Sequence, residues 1–117
     1  KVKKDSYKEV RDAGIWIKQN SNKEDIIFSG SLPQTTYYSE RETHFTNETS
    51  FEPFMRDKKP RYAIISVFEP HQEWVLKEFQ RQDKYSVVQA YFDQNRKPLL
   101  VIYEVNKSAY TKNGQPE

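Results

Sequence analysis

The chain has 117 residues, 19 of them basic and 17 acidic, with a formal net charge of +2 and no cysteine. Charges this evenly mixed describe a solvated surface and exclude a polyanion-binding stripe, so nucleic acid is not an expected partner. The missing cysteines exclude a disulfide framework and a thiolate metal centre.

Mean hydropathy is low at -1.01, yet 15% of residues are aromatic, including eight Tyr and seven Phe. Large rings bury much area each, so this length supports one folded domain with a core rather than a disordered segment. No apolar run approaches the ~20 residues that a membrane helix needs. No secretory leader pattern is present, and the first residue is Lys rather than Met, which reads as a piece of a longer polypeptide.

The elements follow in chain order. Lys1, Lys3 and Lys4 make residues 1–5 a basic flank, either a solvated tail or a juxtamembrane stretch. Ser6 and Glu9 have capping-box spacing, and Tyr7, Val10, Gly14 and Ile17 recur at helical intervals. They predict a helix ending at Asn20, with Trp16 closing its edge against a sheet. Gly14 within it costs up to about 1 kcal/mol, and close approach of a neighbouring strand is the expected reason.

Residues 25–29 read as a short buried strand stopped by Gly30, followed by a turn through Pro33 and a polar-aromatic turn, Tyr37-Tyr38-Ser39-Glu40-Arg41. A minor edge strand is expected at 43–45. Asn47 to Ser50 offer caps for a short helix carrying Phe51, Phe54 and Met55, with Pro53 in its first turn. Residues 62–68 are nearly continuous in apolar side chains, the pattern of a strand covered on both faces. Pro70 opens a helix to Arg81 whose Trp74, Val75 and Phe79 face the sheet. Strands at 85–92 and 98–105 form a hairpin around the turn 93–97.

These elements predict a small, Rossmann-like α/β three-layer sandwich with a mostly parallel sheet ending in an antiparallel hairpin. The expected strand order is 43–45, 25–29, 62–67, 85–92 and 99–105. Residues 6–106 are then a single α/β domain, and 107–117 a polar tail.

Four short words recur in one order: Trp16-Ile17-Lys18 at the end of a helix, Asp25-Ile26-Ile27, Tyr37-Tyr38-Ser39-x-Arg41, and Pro60-Arg61-Tyr62-Ala63-Ile64. In this the chain resembles the domain after the membrane helices of dolichyl-phosphate-mannose–protein mannosyltransferases and bacterial aminoarabinose transferases. The resemblance covers roughly residues 6–68. It implies a multi-spanning parent that takes sugars from polyprenyl phosphates, and a position on the extracytoplasmic side of the cell membrane. It also implies partnership with the membrane-embedded portion of the same polypeptide, and with a glycan or acceptor protein. Such enzymes keep their catalytic carboxylates in the membrane portion, so the resemblance transfers no catalytic residue to this chain.

The residues themselves suggest one binding place. A crevice where the first and central strands end would carry Gly30, Ser31, Glu69 and His71, rimmed by Tyr37, Tyr38 and Arg41. Tyr rings can stack on a sugar and a guanidinium can grip a phosphate. The competing reading has one Tyr filling the core and Arg41 paired with Glu40, Glu42 or Glu69. No cofactor is expected. Gly30-Ser31-Leu32-Pro33 lacks the further glycines of a dinucleotide fingerprint, and Pro33 lacks an amide for a phosphate.

No metal-ligand spacing, nucleophile elbow or paired carboxylates stand out. Asn47-Glu48-Thr49 and Asn106-Lys107-Ser108 satisfy the N-glycosylation rule, with Asn47 and Asn106 as acceptors if the domain lies outside the cell. Two functions stand: a non-catalytic extracytoplasmic domain of a polyprenyl-phosphate-sugar–dependent glycosyltransferase, or a stand-alone α/β module binding a small anionic ligand or a peptide.

Overall fold

The computed structural model describes residues 2–66 and 73–110, with side chains from Lys8 onward. Alternation along the strands decides the architecture. Ile27, Tyr62, Ile64, Leu100 and Ile102 point to one face, while Phe28, Ala63, Ile65 and Val105 point to the other. A sheet apolar on both faces must be covered twice, and helices cover it.

The elements are α1 (Val2–Gln19), β1 (Ile26–Ser29), α2 (Leu32–Ser39), β2 (Glu42–His44), α3 (Glu48–Lys58), β3 (Tyr62–Ser66), α4 (Glu73–Glu78), β4 (Tyr85–Phe92) and β5 (Pro98–Val105). A 3-10 turn, Lys107–Tyr110, follows. α1 packs on the first face, with α2 beside it; α3, α4 and the 3-10 turn cover the second. The α/β class and the terminal hairpin agree with the sequence expectation.

The strand order does not. The sheet runs β2-β1-β3-β5-β4, so β5 lies inside and β4 forms the edge. β1 is parallel to β2 and β3, while β5 is antiparallel to β3 and β4. Parallel and antiparallel pairs are therefore equal in number, where a mostly parallel sheet was expected. The cause is polarity. β5 buries Leu100, Ile102 and Val105, whereas β4 exposes Ser86, Val87 and Phe92 and carries two register shifts. Bulged, half-solvated strands belong at edges.

Four local expectations also change. α1 begins at Val2, ahead of Ser6, so the Ser6–Glu9 pair lies within the helix instead of starting it. The segment after Gly30 is not a pair of turns but the helix α2, with Pro33 in its first turn, where a missing amide costs nothing. α3 starts at Glu48 with Asn47 as its cap, which moves Pro53 from the first turn into the helix interior. The presumed tail opens with a packed turn whose Tyr110 is only 2% exposed.

Gly14 does serve close approach, but to a helix rather than a strand. A Cβ built there would stand 2.6 Å from the Tyr38 Cβ and 3.3 Å from the Ser39 amide nitrogen. The glycine lets α1 and α2 touch backbone to backbone.

Candidate functional site

Trp16, Asp25, Arg41, Arg61 and Tyr62, which represent each of the four words, come together at one corner, where β1 and β3 begin. Trp16 meets the edge of the Tyr62 ring, with centroids 5.4 Å apart. The Tyr62 hydroxyl donates to the Asn20 carbonyl at 3.1 Å. Arg61 donates to Asp25 Oδ2 at 3.1 Å, and the Asn22 amide donates to the same oxygen at 2.8 Å. Burial raises the Asp25 pKa, but these donors outweigh it and hold the carboxyl below its ordinary value.

Arg41 completes the corner. Its Nε donates to Ser21 Oγ at 2.8 Å; Nη2 donates to the Lys18 and Ser21 carbonyls, each at 3.1 Å; Nη1 donates to the Glu40 carbonyl at 3.1 Å. A helix C-terminus presents unsatisfied carbonyls and partial negative charge, and a buried guanidinium answers both. Arg41 is 9% exposed. Among the described residues, the expected carboxylate partners Glu40 and Glu42 do not take its side-chain bonds; backbone carbonyls and one hydroxyl do, while Glu69 lies outside the described residues. Its guanidinium is committed to structure.

The other end of the strands is different in kind. Gly30 is exposed, and Ser31 is buried. The Ser31 amide donates to Ser29 Oγ at 3.1 Å, and Ser29 Oγ lies 3.0 Å from Thr35 Oγ1. Ser39 Oγ donates to the Thr35 carbonyl at 2.5 Å, and the Arg41 amide donates to Ser39 Oγ at 3.2 Å. This run of hydroxyls fastens α2 along β1 and satisfies buried polar groups, as burial demands. Glu69 and His71, expected beside Gly30, lie outside the described residues.

Tyr37 and Tyr38 sit apart from both ends. They border a groove of about 590 Å³ between α1 and α2, lined also by Ile15, Lys18, Gln19 and Glu40. Tyr37 is 74% exposed, and its ring meets Tyr38 edge-on at 4.9 Å. Lys18 donates to Glu40 Oε2 at 2.8 Å across the groove. So the expected crevice does not assemble among the described residues. Gly30 and Ser31 take one end of the sheet, Arg41 takes the opposite end, and the two tyrosines line a separate helix–helix groove.

Sequence reasoning passed over Ile15, Lys18 and Gln19 as groove residues. Ile15 carried a signal: it is an apolar side chain off the buried Val10-Ala13-Ile17 stripe, and it is exposed.

Among the described residues, no three His, Cys, Asp or Glu side chains converge as a metal-binding group would. Comparison with family models, curated proteins and solved structures finds no match.

Proposed function

We propose that this chain is a non-catalytic extracytoplasmic domain of a membrane glycosyltransferase that takes its sugar from a polyprenyl phosphate. The observation that supports the reading is spatial. One or two residues of each of the four words meet in one corner, where Trp16 packs on Tyr62, Arg61 binds Asp25 and Arg41 closes the end of α1, while Tyr37 and Tyr38 of the third word lie in the groove. Words gathered by chance have no reason to interlock. As one interlocked unit they act as a signature of fold, which is what an accessory domain shares with its relatives.

In this reading the domain covers the outer face of the membrane portion and helps to hold acceptor or sugar. The exposed Tyr37 groove is the surface it offers. The test is a transferase assay with a polyprenyl-phosphate sugar. Membranes holding the full-length parent are compared with membranes holding the parent without this domain, and with the purified chain alone. The expected pattern is full activity, impaired activity and no activity. Turnover by the purified chain sinks the non-catalytic role, and an unimpaired shortened parent removes any role in the reaction.

A second reading, a stand-alone binding module, draws on the same groove. The anionic ligand first expected for it loses its grip, because Arg41 is occupied and Lys18 is already paired with Glu40. An uncharged ring that stacks on Tyr37 fits the groove better.

A further inference from the structure

Two triplets satisfy the glycosylation rule, and the structure treats their asparagines differently. Asn47 is the N-cap of α3. Its Oδ1 accepts from the Ser50 amide at 3.0 Å and from Thr49 Oγ1 at 3.0 Å. Its Nδ2, the atom that would carry a sugar, makes no hydrogen bond among the described residues, and residues 47–50 are all exposed. The oxygen does the structural work and the nitrogen is idle.

Asn106 is also exposed, but its nitrogen is engaged. Nδ2 donates to the Asp83 carbonyl at 3.4 Å, and Oδ1 accepts from the Ser108 amide at 3.2 Å and from Ser108 Oγ at 2.7 Å. Its backbone amide donates to the Lys84 carbonyl at 2.8 Å. These bonds tie the start of β4 to the turn that carries buried Tyr110. A sugar on Nδ2 competes with the Asp83 contact and crowds that tie.

We infer that Asn47, and not Asn106, is the N-glycosylation acceptor of this domain, its nitrogen taking an oligosaccharide from a polyprenyl-phosphate-linked donor. This rests on the extracytoplasmic location proposed above. Asn47 Nδ2 forms a bond to C1 of the donor sugar. The C1–O bond to phosphate breaks, the phosphate leaves with the electron pair, and the proton lost from Nδ2 passes to a base of the transferring enzyme. The glycosylated amide keeps its oxygen, so the cap on Ser50 survives the modification.

The test uses the protein isolated from its own cells. Intact cells are first treated with a membrane-impermeant amine reagent. The purified protein is then digested, its glycans are released in oxygen-18 water, and peptides are read by mass spectrometry. Labelled Lys23 and Lys58 with heavy aspartate at position 47, and unmodified Asn106, are the expected result. Labelled lysines with an unmodified Asn47, or with the glycan on Asn106 instead, overturn this inference and leave the location standing. Unlabelled lysines overturn the location and the inference together.

Two variants separate the glycan from the fold. Asn47→Asp keeps a good cap but cannot accept sugar, and Thr49→Ala breaks the triplet while leaving the Asn47–Ser50 bond. Each should lose the glycan mass while the enzymatically deglycosylated protein keeps its unfolding midpoint. Retention of the mass by either variant refutes the assignment.

Discussion

The two faces of the sheet are built from different chemistry. Under α1 the core is aliphatic: Val10, Ala13 and Ile17 lie on Ile27, Ile64, Leu100 and Ile102, with Tyr62 at the corner. Under α3 and α4 it is a raft of rings. Phe28 lies within 5.1–6.1 Å of Phe45, Phe51, Phe54 and Phe79, and Phe79 lies 4.3 Å from Tyr85. The ring face also holds a polar knot. The Tyr85 hydroxyl donates to Glu78, and the Tyr110 hydroxyl bonds that of Tyr85 and lies 3.3 Å from the same carboxylate oxygen. One face is therefore held by aliphatic volume, and the other by ring packing and a buried polar network.

Volume should break the ring face more severely. Phe28→Ala removes a fully buried ring that four others touch, and a loss of about 3–5 kcal/mol is expected. Ile17→Ala, fully buried on the aliphatic face, should cost about 2–5 kcal/mol, toward the lower end because fewer contacts are deleted. Urea midpoints of the two variants read the comparison directly. Equal losses would mean that the raft adds nothing beyond its area.

Overfilling should be felt most on the other face, where α1 touches α2. Gly14→Ala gains about 1 kcal/mol of helix propensity, but its methyl must displace α2. The expected net loss is about 1–3 kcal/mol, with Tyr37 and the groove displaced. A stabilised variant would show that α2 rides loosely on α1.

The smallest effect is one of pH; burial raises phenols on both faces, Tyr62 and Tyr91 under α1 among them, and most strongly on the ring face. Burial first, then the contacts with Glu78 and Tyr110, push the Tyr85 phenol far above its ordinary range; burial likewise raises Tyr110. A phenol kept neutral in the folded state contributes stability that is full below about pH 10 and is lost as pH rises past it, because the unfolded chain ionises first. Stability measured from pH 8 to 11 should fall, and the Tyr85→Phe, Tyr110→Phe pair should flatten that fall. An unchanged slope in the double variant would place the alkaline sensitivity elsewhere.

How much of this was legible follows the same division. Apolar runs at 25–29, 62–68 and 98–105 announced the strands, and Val10, Ile17 and Val75 announced the faces of α1 and α4, because burial writes itself into periodicity; α4 nevertheless ends at Glu78, short of the expected Arg81, with Phe79 buried just past its end. α2 hid because its inward residues are Thr35 and Ser39, hydroxyls that resemble a loop until their bonds are known. The role of Arg41 was hidden for a related reason. Its partners are backbone carbonyls at the end of α1, which no residue type advertises. Tyr110 stood among polar neighbours, and one ring cannot establish a period.

The position of β5 sets an order of events. On a growing chain, β1, β2, β3 and β4 all emerge before residues 98–105, yet β4 has no partner except β5, and β3 has only β1 to pair with until then. Until that strand arrives, Ile64 and Ile65 lack its cover and β4 is an unanchored segment. The sheet closes only when β5 reaches β3, bringing β4 with it as the outer arm of the hairpin, so the last strand to be made is the one that joins the two halves of the sheet.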